Sequence, residues 1–152
     1  MFKTRFALGL MLIITLSACS GRANLNNSAA TELQLAPCPA SPNCVSSLAS
    51  TESQRVDALR YEGDRAQAQA RLLRVLKEMP RATVVRTDPT YVHVEFRSAL
   101  FGFVDDVEFH FDPPSAIQVR SASRVGYSDF GVNRARVAAI RERFAALAGA
   151  PS

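Results

Sequence analysis

The chain has 152 residues, 47% of them hydrophobic and 21% charged, which suits one packed domain and leaves too little for two. Its net charge of +4 rests on arginine, because Lys3 and Lys77 are the only lysines. These values exclude a wholly disordered chain, a collagen-like chain and a multi-span membrane protein.

Residues 1–18 begin with a short basic stretch, Lys3 and Arg5, followed by an apolar run from Phe6 to Leu16 broken only by Gly9 and Thr15. A spanning helix needs about 20 apolar residues, so this shorter run predicts a secretory signal peptide. Its end, Leu16-Ser17-Ala18-Cys19, resembles the lipobox of bacterial lipoproteins. That resemblance implies cleavage before Cys19, a diacylglycerol on its sulfur and an acylated terminal amine. Ser20 stands where an aspartate would mark retention at the inner membrane, so the implied address is the inner leaflet of the outer membrane, facing the periplasm. An ordinary cleavable signal with a chance cysteine is the alternative. Removal of residues 1–18 takes Lys3 and Arg5 and lowers the net charge from +4 to +2. Little then supports a nucleic-acid partner. The expected partners are the membrane, through the Cys19 anchor, and an envelope protein or polar ligand.

Residues 19–36 carry no clear periodicity and predict a tether from the lipidated N-terminus to a domain beginning near Pro37. One α+β domain is expected over 37–148, with a tail at 149–152. With Cys19 lipidated, Cys38 and Cys44 remain, in Cys38-Pro39-Ala40-Ser41-Pro42-Asn43-Cys44. An even remainder in an oxidising compartment predicts a disulfide, and the two prolines favour the turn that closes it. Free or redox-active thiols are the alternative, although the spacing is not Cys-x-x-Cys. A metal site needs more ligands, and no histidine lies near in sequence. No metal or cofactor is expected.

Asp64 to Met79 predicts a helix. Asp64 and Gln67 have capping-box spacing, Leu72, Leu73, Leu76 and Met79 share a face, and Pro80 ends it. Four strands follow: Ala82–Thr87, Tyr91–Ser98, Phe103–Phe111 and Ala116–Ser123. Their turns are Asp88-Pro89-Thr90 and Asp112-Pro113-Pro114-Ser115. Val92, Val94 and Phe96 alternate with His93, Glu95 and Arg97, and Val107, Phe109 and Phe111 with Asp106, Glu108 and His110. Such alternation marks an antiparallel sheet with one polar, exposed face. A closing helix runs from about Gly131 to Leu147 with Val137, Ile140, Phe144 and Leu147 inward. The fold expected is a two-layer α+β sandwich, a four-stranded antiparallel meander with two helices on one face.

Chemistry has two candidate locations. Between Asp88 and Asp112 six acids face Arg97 alone, and between Arg120 and Arg143 six arginines face Asp129 and Glu142. A cross-strand ion ladder is one reading, with Glu108 between the strands of Arg97 and Arg120; a face that binds something polar is the other. The strand-to-helix junction carries Arg120, Ser123, Arg124, Tyr127, Asp129, Asn133 and Arg134. Its glycines, hydroxyls and arginines fit an anion site at a helix start, while Ser128, Asp129 and Asn133 also fit plain capping. Asp105 and Asp106 are adjacent on a strand and point to opposite faces, so they make no facing acid/base pair unless a bulge intervenes. No Gly-x-Ser-x-Gly elbow is present, and both histidines fall on the polar strand face. The Ser98–Asp106 turn and the Arg120–Asn133 junction are expected to meet at one end of the sheet.

Three ordered stretches carry a resemblance: Cys38 to Ser47, Ser98 to Phe109, and Val119 to Arg136. Together they resemble the signatures of an uncharacterised family, numbered 1499 among the domains of unknown function. It is found across bacterial exported lipoproteins and proteins of the plant thylakoid lumen. The resemblance implies a domain and no activity. The leading expectation is therefore a non-enzymatic binding or interaction domain. An enzyme using Asp105, Asp106 and the Arg120–Arg134 region, and a structural envelope component, are the alternatives.

Overall fold

The computed structural model describes residues 34–112 and 115–149. The expected signal peptide, Cys19 and the tether up to residue 33 lie outside these residues. So do positions 113–114 of the last turn and most of the C-terminal tail.

Helix α1 spans Arg65–Glu78, and the Asp64 carboxylate accepts the Gln67 N–H at 3.2 Å, the cap its spacing predicts. Ala68, Leu72, Val75 and Leu76 form its buried stripe. Pro80 cannot continue the helix, and Arg81, at φ 59°, turns the chain into the sheet.

The sheet contains six antiparallel strands rather than four. They are β1 (Cys44–Ser46), β2 (Leu59–Arg60), β3 (Ala82–Asp88), β4 (Tyr91–Arg97), β5 (Val104–Asp112) and β6 (Ala116–Ser123). Their order is β1-β6-β5-β4-β3, with β2 also on β6. The two extra strands share the outer edge of β6. Cys44 pairs with Ala122 and Ser46 with Arg120, while Leu59 pairs with Ile117. At the opposite edge β3 is largely exposed, and a register shift between Val84 and Arg86 interrupts its ladder. Such a bulge discourages pairing with another chain.

Register sorts the side chains. Val94 opposes Val107, Val92 opposes Phe109, Phe109 opposes Val119 and Phe111 opposes Ile117, all buried. These side chains share one core with Leu72 and Leu76 of α1 and with Val137, Ile140 and Phe144 of α2 (Val132–Ala146). Deleting a buried phenylalanine such as Phe144 costs about 3–5 kcal/mol. A short 3-10 turn, Leu147–Gly149, follows α2.

The pairings Cys44–Ala122, Asp105–Ser123, Arg97–Val104 and Ala82–Phe96 bring four segments to one end of the sheet. These are the start of β1, the β4–β5 hairpin, the β6–α2 junction and Arg81. The candidate site lies at this end.

Candidate functional site

The junction is shaped by main-chain geometry. Phe130 and Gly131 both have positive φ, 54° and 83°, which turns β6 back into α2. The Asp129 carboxylate accepts the N–H groups of Gly131 at 3.0 Å and Asn133 at 2.8 Å. Asp129 thereby satisfies donors at the start of α2 that have no partner within the helix.

Asn133 itself is fully buried. Its Oδ1 accepts Ser121 Oγ–H and Arg136 Nη1–H, both at 2.6 Å. Its Nδ2 donates to the Asn43 carbonyl and Ser123 Oγ, both at 3.1 Å. Two acceptor positions and two N–H groups are all the amide has, so its capacity is filled. Arg136 continues the chain of bonds. Its Nη2 donates to Asp105 Oδ2 at 2.6 Å, and its guanidinium lies 4.8 Å from the centre of the Phe96 ring. Only 12% of each side chain in this ion pair is exposed. These bonds form a pin that ties the residue before β1 to β4, β5, β6 and α2 at one point.

A second polar group lies on the other face of β5. Glu95 and Asp106 are directly opposed across β4 and β5, an unfavourable pairing of like charges. Arg124 bridges them. Its Nε and Nη2 donate to Asp106 Oδ2 and Oδ1, each at 2.8 Å, and its Nη2 also reaches Glu95. His93 Nε2 lies 2.7 Å from Asp106 Oδ1. Burial alone would raise the Asp106 pKa, but hydrogen bonds from Arg124 and His93 outweigh it and hold the carboxyl below its ordinary 3.8. The hydrogen bond to Asp106, and then that to Glu95, push Arg124 above its usual value. One row along, Glu108 accepts Tyr91 O–H at 2.6 Å and Arg120 Nη1–H at 2.9 Å. Burial, then the bond to Glu108 and its charge, raise the Tyr91 phenol well above its ordinary 10.0. This face is less exposed than its alternation implies, since His93, Asp106, Glu108 and Arg120 shield one another. Among the described residues, the buried atoms His110 Nε2 and Arg120 Nε have no hydrogen-bond partner.

The residues singled out from sequence therefore divide. Asp106 and Arg124 meet directly, whereas Asp105 turns the other way and joins Asn133 and Ser123 through Arg136. Arg120 belongs to the Glu108 row. Arg134 donates to the carbonyls of Arg55 at 2.7 Å and Ser53 at 2.6 Å, which fastens α2 to the segment before β2. Tyr127 stands apart, exposed. Cys38 and Cys44 form a disulfide with Cα atoms 5.6 Å apart. Asn43 beside it donates to the Gly126 carbonyl at 2.6 Å, tying the opening stretch to the junction. A hollow of about 340 Å³ lined by Pro42, Cys44, Gln54, Asp129, Gly131 and Arg134 joins the same two stretches. Among the described residues no three His, Cys, Asp or Glu side chains are grouped to hold a metal ion.

Sequence reasoning missed Asn43, Ser121 and Arg136 in the pin and Tyr91 on the face; it put His93 on that face but not its bond to Asp106. Two signals were present. Ser121 continues the inward alternation of Ile117 and Val119, so it is a polar group aimed at the core. Arg136 lies three residues after Asn133, on the same side of the helix.

The end of the domain also presents apolar side chains to water. Phe130 is 95% exposed, Leu100 81%, Tyr127 77% and Phe101 70%, with Phe103 and Val125 more than half exposed beside them. The Phe101 and Phe103 rings stack with centres 5.6 Å apart. The Arg124 N–H donates to the Val104 carbonyl at 3.1 Å, which holds the junction against the hairpin.

No curated protein and no solved structure matches the chain. The family described as "Protein of unknown function (DUF1499)" matches residues 34–144, from just before the disulfide to Phe144 in the last helix. The three stretches that build this end of the sheet all lie within that span, and the chain belongs to this family.

Proposed function

We propose that this is an exported, lipid-anchored lipoprotein whose domain faces the periplasm and works by binding, with the junction end as its contact surface. One observation carries the reading. At that end the carboxylates and amides are consumed by bonds within the domain, while the apolar side chains of two neighbouring loops point outward. Exposed apolar groups gathered at one place mark interaction surfaces. The Cys38–Cys44 disulfide supports export, because such bonds persist in oxidising compartments. In this reading the domain is a two-layer sandwich, with β3–β6 as a four-stranded meander and both helices on one face. The core shared by Phe109, Leu72 and Ile140 supports that arrangement.

Intact-mass measurement of the protein isolated from membranes tests the anchor. The expected mass is that of a chain beginning at Cys19 and carrying a diacylglycerol and an acyl group. An unmodified Cys19, or a Cys19→Ala chain that still fractionates with membranes as a cleaved product, contradicts it.

A polar ligand on the strand face is the second reading, favoured by the nitrogens of His110 and Arg120 that lack a partner among the described residues. It predicts that small anions shift the His110 ring resonances in a titration; unchanged resonances remove it.

A further inference from the structure

The apolar end has three properties that belong together. Phe130 adopts a left-handed backbone, which costs a non-glycine residue roughly 1 kcal/mol, yet its ring touches water almost everywhere. The fold gains nothing from a phenylalanine held there. The start of β1 lies at this same end, so the chain leading back to Cys19 enters the domain beside the exposed loops. Positions 20–37 separate Cys19 from Cys38. Eighteen residues reach at most about 60 Å, and coil-like ones far less. The charges complete the pattern. The carboxylates at this end are engaged: Asp105 with Arg136, Asp106 and Glu95 with Arg124, and Asp129 with two main-chain N–H groups. The Arg81 side chain, exposed at the neighbouring strand end, makes only a bond to the Arg97 carbonyl among the described residues. A cation is thus left beside an apolar tip.

We infer that the two loops dock onto the bilayer surface, with Leu100, Phe101 and Phe130 at headgroup depth and Arg81 against anionic headgroups. This rests on the reading of the junction end as the contact surface, and it names the occupant. An apolar tip beside a cation is the chemistry of an anionic lipid surface. A lipid at Cys19 would hold that surface within reach, so weak docking is sufficient.

The chain contains no tryptophan, so single replacements report position by fluorescence. Phe101→Trp, Phe130→Trp and, away from this end, Leu48→Trp are prepared as the membrane-extracted protein. Each is placed in vesicles of phosphatidylethanolamine and phosphatidylglycerol, with or without acyl-chain bromination. Docking predicts blue-shifted emission and bromine quenching for Phe101→Trp and Phe130→Trp, and neither for Leu48→Trp. A further Leu100→Ser change should weaken the binding of unacylated protein about tenfold, the partition lost with one buried leucine. Replacing phosphatidylglycerol by phosphatidylcholine should reduce the quenching through Arg81. Intact mass of the same samples separates the two readings. Unquenched Phe101→Trp and Phe130→Trp on chains that carry the lipid overturn docking and leave the anchor standing. Quenching on chains that lack the lipid supports docking and removes the anchor. Emission that shifts only when a soluble envelope extract is added overturns the inference in favour of a protein partner.

Discussion

The junction end contains two regions built from the same stretches of sequence and opposite in character. The pin of Asp105, Ser121, Asn133 and Arg136 is buried and every group in it is paired. The loops carrying Leu100, Phe101, Tyr127 and Phe130 are exposed and make little use of their side chains within the fold. The polar residues, which look chemical in a sequence, hold the domain together. The apolar residues, which look like core, are available for contact. A motif's residue types therefore do not sort function from structure; burial and hydrogen-bond saturation do.

Asp105→Ala should break the comparison most severely if it is wrong. It leaves Arg136 as an uncompensated, mostly buried charge, and urea denaturation should show a loss of about 3 kcal/mol or more. A loss under about 1 kcal/mol would mean that the pin is not structural. The disulfide comes next. Cys38→Ser with Cys44→Ser should lower stability by about 2 kcal/mol, the loop-closure entropy of so short a loop. Phe130→Gly acts in the opposite direction. It relieves the left-handed backbone and should raise stability by up to about 1 kcal/mol while weakening vesicle binding.

The strand-face ion pairs give the smallest effects and sharpen the comparison through pH and salt. The Asp106 carboxyl is depressed in the fold, so its contribution is present above about pH 4 and is lost as pH falls below the ordinary 3.8. Asp106→Asn should flatten that acid limb in a series of melting curves. Tyr91 has the reverse sign. Its raised phenol stabilises the fold below its ordinary 10.0, and that contribution is lost as pH rises beyond it, so Tyr91→Phe should remove an alkaline limb. Arg124→Gln should lower the melting temperature slightly, and less in high salt, because the bridged carboxylates are partly solvated.

Strand alternation was legible because the sheet buries one face, and the facing of Asp105 and Asp106 followed from it. The cap by Asp64 was legible from spacing. Strands β1 and β2 were not, since three and two residues carry no period; β6 recruits them by register. Asn133 was legible as a member of the junction cluster and as a cap residue, but not as the buried centre of the pin. Asp129 caps α2 instead, because the turn at Phe130 and Gly131 brings its carboxylate over the helix start and leaves Asn133 to face Ser121. The role of Arg134 was likewise hidden, because its main-chain acceptors lie some eighty positions earlier in the chain.

The central claim is that the pin carries the fold and the loops do not. Urea denaturation of the Leu100→Ser/Phe101→Ser/Phe130→Ser chain tests it most directly. The account predicts a midpoint and slope equal to those of the unaltered protein, with vesicle binding lost. A stability loss of more than about 1 kcal/mol would contradict it by placing those side chains among the contacts that hold the domain together.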